Sequence, residues 1–225
     1  GEVKTVIGAI GDKRLLNIIE EKAKEIRENA DVFILIGVGG SNQGARAVIK
    51  AFQKEEKPKI LYSGNNLSPI YMNNILDQIQ GKSVYVNIIA KNFATLEPGI
   101  CFRVIRKYLE EVYGEEEASR RIIATGSPGG SSLEKLAEQK GYLFLPFPLD
   151  VGGRYSVMSA VGLLPIAVSG VSLSELISGA KAMQEYANNT VAEENDLLRY
   201  AVIRNELLKM GKNIEILAYF EPSLE

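Results

Sequence analysis

The sequence has no histidine and a single cysteine among its 225 residues. Without histidine there is no Ser-His-Asp triad, no Cys-His pair and none of the usual zinc sites, so a resident metal is not expected. Acid–base work falls to Glu, Asp, Lys, Tyr or Cys, or to groups from another chain or segment. Cys101 alone cannot close an internal disulfide, which fits a reducing, cytoplasmic setting. Long apolar runs are also missing. The longest, Tyr155 to Val168, contains Ser156, Ser159 and Pro165, and it falls short of the roughly 20 residues of a membrane span. The opening Gly1–Lys4 is not followed by the apolar core of a signal peptide. A chain that begins with Gly rather than Met fits a processed or excised piece. Basic residues are nowhere concentrated: 26 Lys and Arg against 28 Asp and Glu give a formal charge of -2, so no nucleic-acid face is expected.

What remains is an ordinary globular composition, 46% hydrophobic and 24% charged, with 8 Pro and 21 Gly. Disordered, collagen-like and disulfide-scaffold classes are excluded. Short β-branched runs alternate with helix-period segments. The strand candidates are Val32–Ile36, Ile60–Ser63, Val84–Ile89, Arg121–Thr125 and Tyr142–Phe147. The first is wholly apolar, as suits a central parallel strand covered on both faces. Helices are expected over Lys13–Glu28, Gln43–Gln53, Pro69–Gln80, Leu96–Tyr113 and Leu133–Lys140. This alternation predicts an α/β fold, a doubly wound αβα sandwich around a parallel five-stranded sheet.

The character changes after Asp150, which suggests a division into residues 1–150 and 151–225. Arg154–Ser169 reads as one buried helix. A second helix opens at Ser172 and Glu175, a third spans Glu194–Met210, and a last strand is expected over Ile214–Phe220.

Three loops carry the chemistry. Gly37-Val38-Gly39-Gly40-Ser41-Asn42-Gln43-Gly44 joins the first strand to the next helix, the place where open α/β sheets bind ligands. Glycines there let the backbone approach an anion, the helix start offers N–H groups, and Ser41 adds a hydroxyl. A Gly-rich turn with no ligand is the plainer alternative. A Walker A loop fails because Ala45 and Arg46 follow Gly44. A dinucleotide fingerprint fails at Asn42 and again at Tyr62-Ser63-Gly64-Asn65-Asn66, which offers no carboxylate for a ribose. No cofactor is expected.

In the second loop, Ala90-Lys91-Asn92-Phe93-Ala94-Thr95, Lys91 and Thr95 could reach the same anion. Alternatively Thr95 only caps a helix and Lys91 is a solvated charge. In the third, Gly152 and Gly153 precede Arg154, whose guanidinium could bind phosphate or steady developing negative charge. Pairing of Arg154 with Asp150 is the structural alternative. Cys101, beside Phe102 within a helix, reads as core.

Together these segments resemble the phosphoglucose isomerase family of the sugar-isomerase (SIS) domain superfamily. Ile36-Gly37-Val38-Gly39-Gly40-Ser41 is similar to its first phosphate loop. The run from Asp150 to Pro165 resembles its signature segment almost residue for residue, and Tyr200–Asn205 and Ile214–Pro222 resemble the stretch joining its two domains.

The resemblance implies a flavodoxin-like SIS domain followed by connecting helices and the start of an incomplete second domain. It implies aldose–ketose isomerisation of glucose 6-phosphate and fructose 6-phosphate. An open-chain sugar phosphate loses a proton from carbon 2 or carbon 1 and is reprotonated on the neighbouring carbon through an enediolate. Gly40, Ser41, Lys91, Asn92 and Thr95 would hold the phosphate, with Gly39 and Gly153 in support. Arg154 would steady the enediolate, and Glu97 would orient a partner group without itself being the base. A homodimer is also implied.

The sequence departs from the family pattern at several places. Ala90, Asn92, Ala94 and Leu96 replace residues that are commonly hydroxylic, and Asn42 and Gln43 are unusual in the first loop. Two lost charge-assisted hydrogen bonds would cost about 2–4 kcal/mol of phosphate affinity. By the same resemblance the catalytic glutamate, histidine and lysine lie beyond residue 225. The expectation is therefore a phosphate-binding half, inactive without its missing C-terminal half. A non-catalytic sugar-phosphate-binding module on the same fold is the alternative.

Overall fold

The structure is a computed structural model that describes residues 12–53 and 57–224. The opening Gly1–Lys4 lies outside the described residues. Two compact units divide at the Leu173–Ser174 bond.

The first unit is built on five parallel strands: β1 (Val32–Ile36), β2 (Lys59–Ser63), β3 (Val84–Ala90), β4 (Ile122–Gly126) and β5 (Leu143–Pro146). Their spatial order is β2-β1-β3-β4-β5, the flavodoxin-like arrangement. Helices α1 (Lys13–Asn29), α2 (Gln43–Phe52), α3 (Pro69–Ile79), α4 (Leu96–Arg121) and α5 (Ser132–Lys140) alternate with the strands. β1, β3 and β4 are buried along their whole length, which explains their largely apolar sequences; the polar exceptions, Asn87 and Thr125, bond to each other at 3.0 Å. Because side chains alternate across a strand, Val32, Ile34 and Ile36 join Ile75, Phe102, Ile105 and Leu133 in one core layer over α3, α4 and α5. Phe33 and Leu35 face the opposite layer.

That opposite layer is closed by α6 (Ala160–Val168), in which all nine residues are buried and which packs on α1 and α2. The Arg27 guanidinium reaches from the last turn of α1 to the Ala167 carbonyl, which also accepts from the Gly170 N–H at 3.0 Å, and so ties α1 to the end of α6. Residues 151–173 thus share the unit of the sheet.

Three elements differ from the sequence expectation. α4 continues past Tyr113 to Arg121, but Gly114 interrupts it at φ 76 and ψ 162, a conformation open mainly to glycine. Arg154–Ser169 is not one helix. Gly153–Met158 forms a 3-10 helix, Ser159 is extended at φ -119 and ψ -177, and α6 begins only afterwards. The serines impose this break. Ser156 Oγ donates to the Gly153 carbonyl at 2.7 Å and Ser159 Oγ donates to the Ser156 carbonyl at 2.6 Å, so local side-chain bonds compete with the α-helical ladder.

In the second unit, α7 (Leu173–Asn189) leads to α8 (Asp196–Lys209). Asn195 caps α8 by accepting from the N–H groups of Leu197 and Leu198. The strand expected over Ile214–Phe220 does not form. Ile214 and Ile216 are each 84% exposed, and no described strand lies beside them to complete a hydrogen-bonded ladder. Among the described residues, no helix is long and apolar enough to cross a membrane.

Candidate phosphate-binding site

In the strand order β2-β1-β3 the side on which successive strands are added switches between β1 and β3, and ligands in such sheets lie beyond the carboxyl ends of the strands at that point. Two of the three loops singled out in the sequence leave from there. Gly39–Ser41 forms a 3-10 turn directly after β1, and residues 91–95 follow β3. The third, Gly153–Met158, follows β5.

The first and third loops touch. A β-carbon placed on Gly40 would lie 2.0 Å from the Gly153 carbonyl oxygen and 2.8 Å from the Arg154 nitrogen. Only a residue without a side chain permits that approach. Arg154 itself is exposed. Among the described residues no ion pair joins it to Asp150, so the structural alternative for this arginine is not realised.

The second and third loops are tied by Lys91. Its Nζ donates to the Leu149 carbonyl at 3.1 Å and to the Val151 carbonyl at 2.9 Å, and it lies 5.5 Å from the centre of the Phe147 ring. The Lys91 carbonyl accepts from Ser127 Oγ at 2.9 Å. Lys91 is therefore not a loosely solvated charge.

Asn92 and Thr95 are engaged within their own loop. Asn92 Oδ1 accepts from the Ala94 N–H at 3.0 Å, and Thr95 Oγ1 donates to the Asn92 carbonyl at 2.9 Å. Thr95 stands at the start of α4 without a side-chain capping bond, so it is no simple N-cap either. Glu97 sits in the first turn of α4. Cys101 is buried, as expected of core, with its Sγ 3.6 Å from the Asn66 carbonyl.

The sequence reading missed one anchor. Asn42 is completely buried. Its Nδ2 donates to the Gly37 carbonyl at 2.6 Å and to Asn65 Oδ1 at 2.8 Å. The Gly37 N–H in turn donates to the Ser63 carbonyl at 3.0 Å. Asn42 and Asn65 follow neighbouring parallel strands whose ends pair Ile36 with Ser63. That coincidence of polar amides at one end of a sheet was the available signal.

The Gly39–Ser41 turn, Lys91 and Arg154 thus lie on loops at one end of the sheet, with the Ser41 N–H engaged by the Val38 carbonyl and Lys91 Nζ by the Leu149 and Val151 carbonyls. Such a set can take up a dianionic phosphate and place a guanidinium next to it.

The match to a family described as phosphoglucose isomerase spans residues 20–219. A glucose-6-phosphate isomerase from Bacillus cereus is 42% identical over 224 residues, covering 95% of this chain and 50% of that protein. One from Shouchella clausii is 43% identical over 223 residues, covering 95% and 49%. Among solved structures, a hypothetical protein from Thermus thermophilus superposes with a TM-score of 0.82 at 29% identity, covering 92% of this chain and 48% of that one. A glucose-6-phosphate isomerase from Chlamydia trachomatis shares the fold, with a TM-score of 0.68 at 22% identity over 79% of this chain and 34% of its own. The chain spans about half the length of the curated relatives it matches. It belongs to the phosphoglucose isomerase family.

Proposed function

We propose that this chain supplies the sugar-phosphate-binding part of an aldose–ketose isomerase that interconverts glucose 6-phosphate and fructose 6-phosphate, a reaction of glycolysis and gluconeogenesis in the cytoplasm. The observation that carries the reading is the contact of Gly40 with Gly153. It sets the anion loop beside the loop of Arg154 at the ligand-binding end of the sheet.

In this reading Gly40 and Ser41 hold the phosphate with Lys91, Asn92 and Thr95, supported by Gly39 and Gly153. Arg154 faces the carbon-1/carbon-2 end of the open-chain sugar. When a base takes the proton from one of those carbons, its electron pair moves toward the carbonyl oxygen and an enediolate forms. The fixed charge of the guanidinium stabilises that oxygen. The hydroxyl proton on the adjacent oxygen passes to that oxygen, the carbon-bound proton returns to the neighbouring carbon, and the carbonyl is thereby moved by one carbon. By resemblance the base is a glutamate outside these 225 residues, Glu97 orients a partner group, and two copies of the protein pair. Residues 1–150 are read as the SIS domain and 151–225 as the signature helix, which packs on α1 and α2, followed by connecting helices and the start of a second SIS domain.

Binding is the direct readout. Calorimetric titration with fructose 6-phosphate should show an affinity that falls in both Ser41→Ala and Arg154→Ala. Equal affinity in both variants and the parent would sink the reading. A second reading, a binding module without turnover, is favoured by Ala90 and Asn92. The alanine offers no hydroxyl, and the asparagine offers only its Nδ2 as a donor, its oxygen accepting from the Ala94 N–H. The two readings part on turnover by the full-length protein, which only the isomerase would show.

A further inference from the structure

Asn42 occupies the N-cap position of α2, where an asparagine oxygen ordinarily accepts from the second or third N–H of the helix. Here it makes no such bond. Both N–H donors of its amide are spent elsewhere, on the Gly37 carbonyl and on Asn65 Oδ1. Its own Oδ1 is buried with no partner in the structure. An unpaired buried amide oxygen is costly, and an apolar side chain of similar size would avoid that cost. What only the amide supplies is the pair of donors.

Those donors act on the loop. The bond to Gly37 closes a ring around the Gly39–Ser41 turn, whose own bonds run from the Ser41 N–H to the Val38 carbonyl and from the Asn42 N–H to the Gly39 carbonyl. The bond to Asn65 fastens that ring to the end of β2. Because Asn42 withholds its cap, the N–H groups of Gly44 and Ala45 in the first turn of α2 receive no acceptor from it.

We infer that Asn42 is a positioning residue for phosphate binding: with Asn65 it holds the Gly39–Ser41 turn in its anion-receiving shape and keeps the start of α2 uncapped. The inference rests on the proposed function, since it assumes that phosphate is taken up at Ser41. Fixing a loop in its bound shape before the ligand arrives removes an ordering cost from binding.

The test is a titration of the isotope-labelled full chain with inorganic phosphate, followed through the backbone amide signals. The parent is compared with Ser41→Ala, Asn42→Ala and Asn65→Ala. Asn42→Ala and Ser41→Ala should each weaken phosphate about tenfold or more, and Asn65→Ala by about threefold. Before any phosphate is added, Asn42→Ala should broaden the amide signals of Gly39, Gly40 and Ser41 while those of β3 and β4 stay in place. A merely structural role would disturb the sheet signals as well. An Asn42→Ala protein with native sheet signals that binds phosphate within about twofold of the parent overturns the inference. If the parent shows no phosphate response at Ser41, the proposed function falls. The ligand-free loop signals then decide the positioning role alone, and sharp signals in Asn42→Ala overturn it. Should Asn42→Ala fail to fold, Asn65→Ala carries the test, with unchanged affinity and unbroadened loop signals overturning the inference.

Discussion

Gly40 and Gly153 meet backbone to backbone, and the contact is one-sided. A β-carbon on Gly40 would stand 2.0 Å from the Gly153 carbonyl oxygen, whereas one on Gly153 would meet nothing within 4 Å. Joining the anion loop to the arginine loop therefore depends on the absence of a side chain at Gly40 alone.

Gly40→Ala must force these loops apart. It is expected to lower stability by about 1–3 kcal/mol, as overpacking does, and to weaken fructose 6-phosphate at least about tenfold. Gly153→Ala should do much less. Thermal melts and calorimetry on the two variants check this, and equal effects would show that the contact does not matter.

Lys91 spans from the end of β3 to the Leu149 and Val151 carbonyls. Lys91→Ala removes two charge-assisted bonds to the chain's own carbonyls, which bears on stability, and in the proposed reading it also removes a cation that meets the phosphate. Losing one charge-assisted bond to the phosphate, about 1.5–3 kcal/mol, should lower sugar-phosphate affinity about 10- to 100-fold. Titration calorimetry reads this directly, and an unchanged affinity would leave Lys91 as a purely internal brace.

Phe102 is fully buried. It meets Phe93 of the second loop edge-on at 6.1 Å and Tyr142 at 6.3 Å. Phe102→Ala should cost about 3–5 kcal/mol, measured by urea denaturation. A loss below about 1 kcal/mol would mean that the site collapses around the cavity.

Asp31 accepts from the Ser83 N–H at 3.0 Å and from Lys57 Nζ at 3.0 Å. The Ser83 backbone bond first, and then Lys57, hold its carboxyl below its ordinary value of 3.8. A carboxyl depressed on folding adds stability above its unfolded pKa, and that stability is lost as pH falls through the folded value. The stability difference between the parent and Asp31→Asn should therefore be full at neutral pH and shrink between about pH 5 and about pH 2. A difference independent of pH over that window would count against it.

The alternation of apolar runs and amphipathic segments was enough to specify the α/β sandwich, because burial of β1, β3 and β4 on both faces favours largely apolar strands. The glycine-rich turn after β1 was equally legible. A local motif placed where a strand meets a helix carries its own geometry. Tertiary structure decided whatever depends on residues distant in sequence. Sequence left Lys91 between an anion ligand and a solvated charge. Its bonds to the Leu149 and Val151 carbonyls appear only once strand order brings residues 149–151 beside it. Asn42 looked like an oddity until parallel pairing of β1 with β2 set Asn65 within 2.8 Å. The apolar Ile214–Phe220 read as a strand but forms none, since β propensity is local and a ladder needs a neighbour. Sequence pattern determines which segments can be buried; only packing decides which of their polar groups meet.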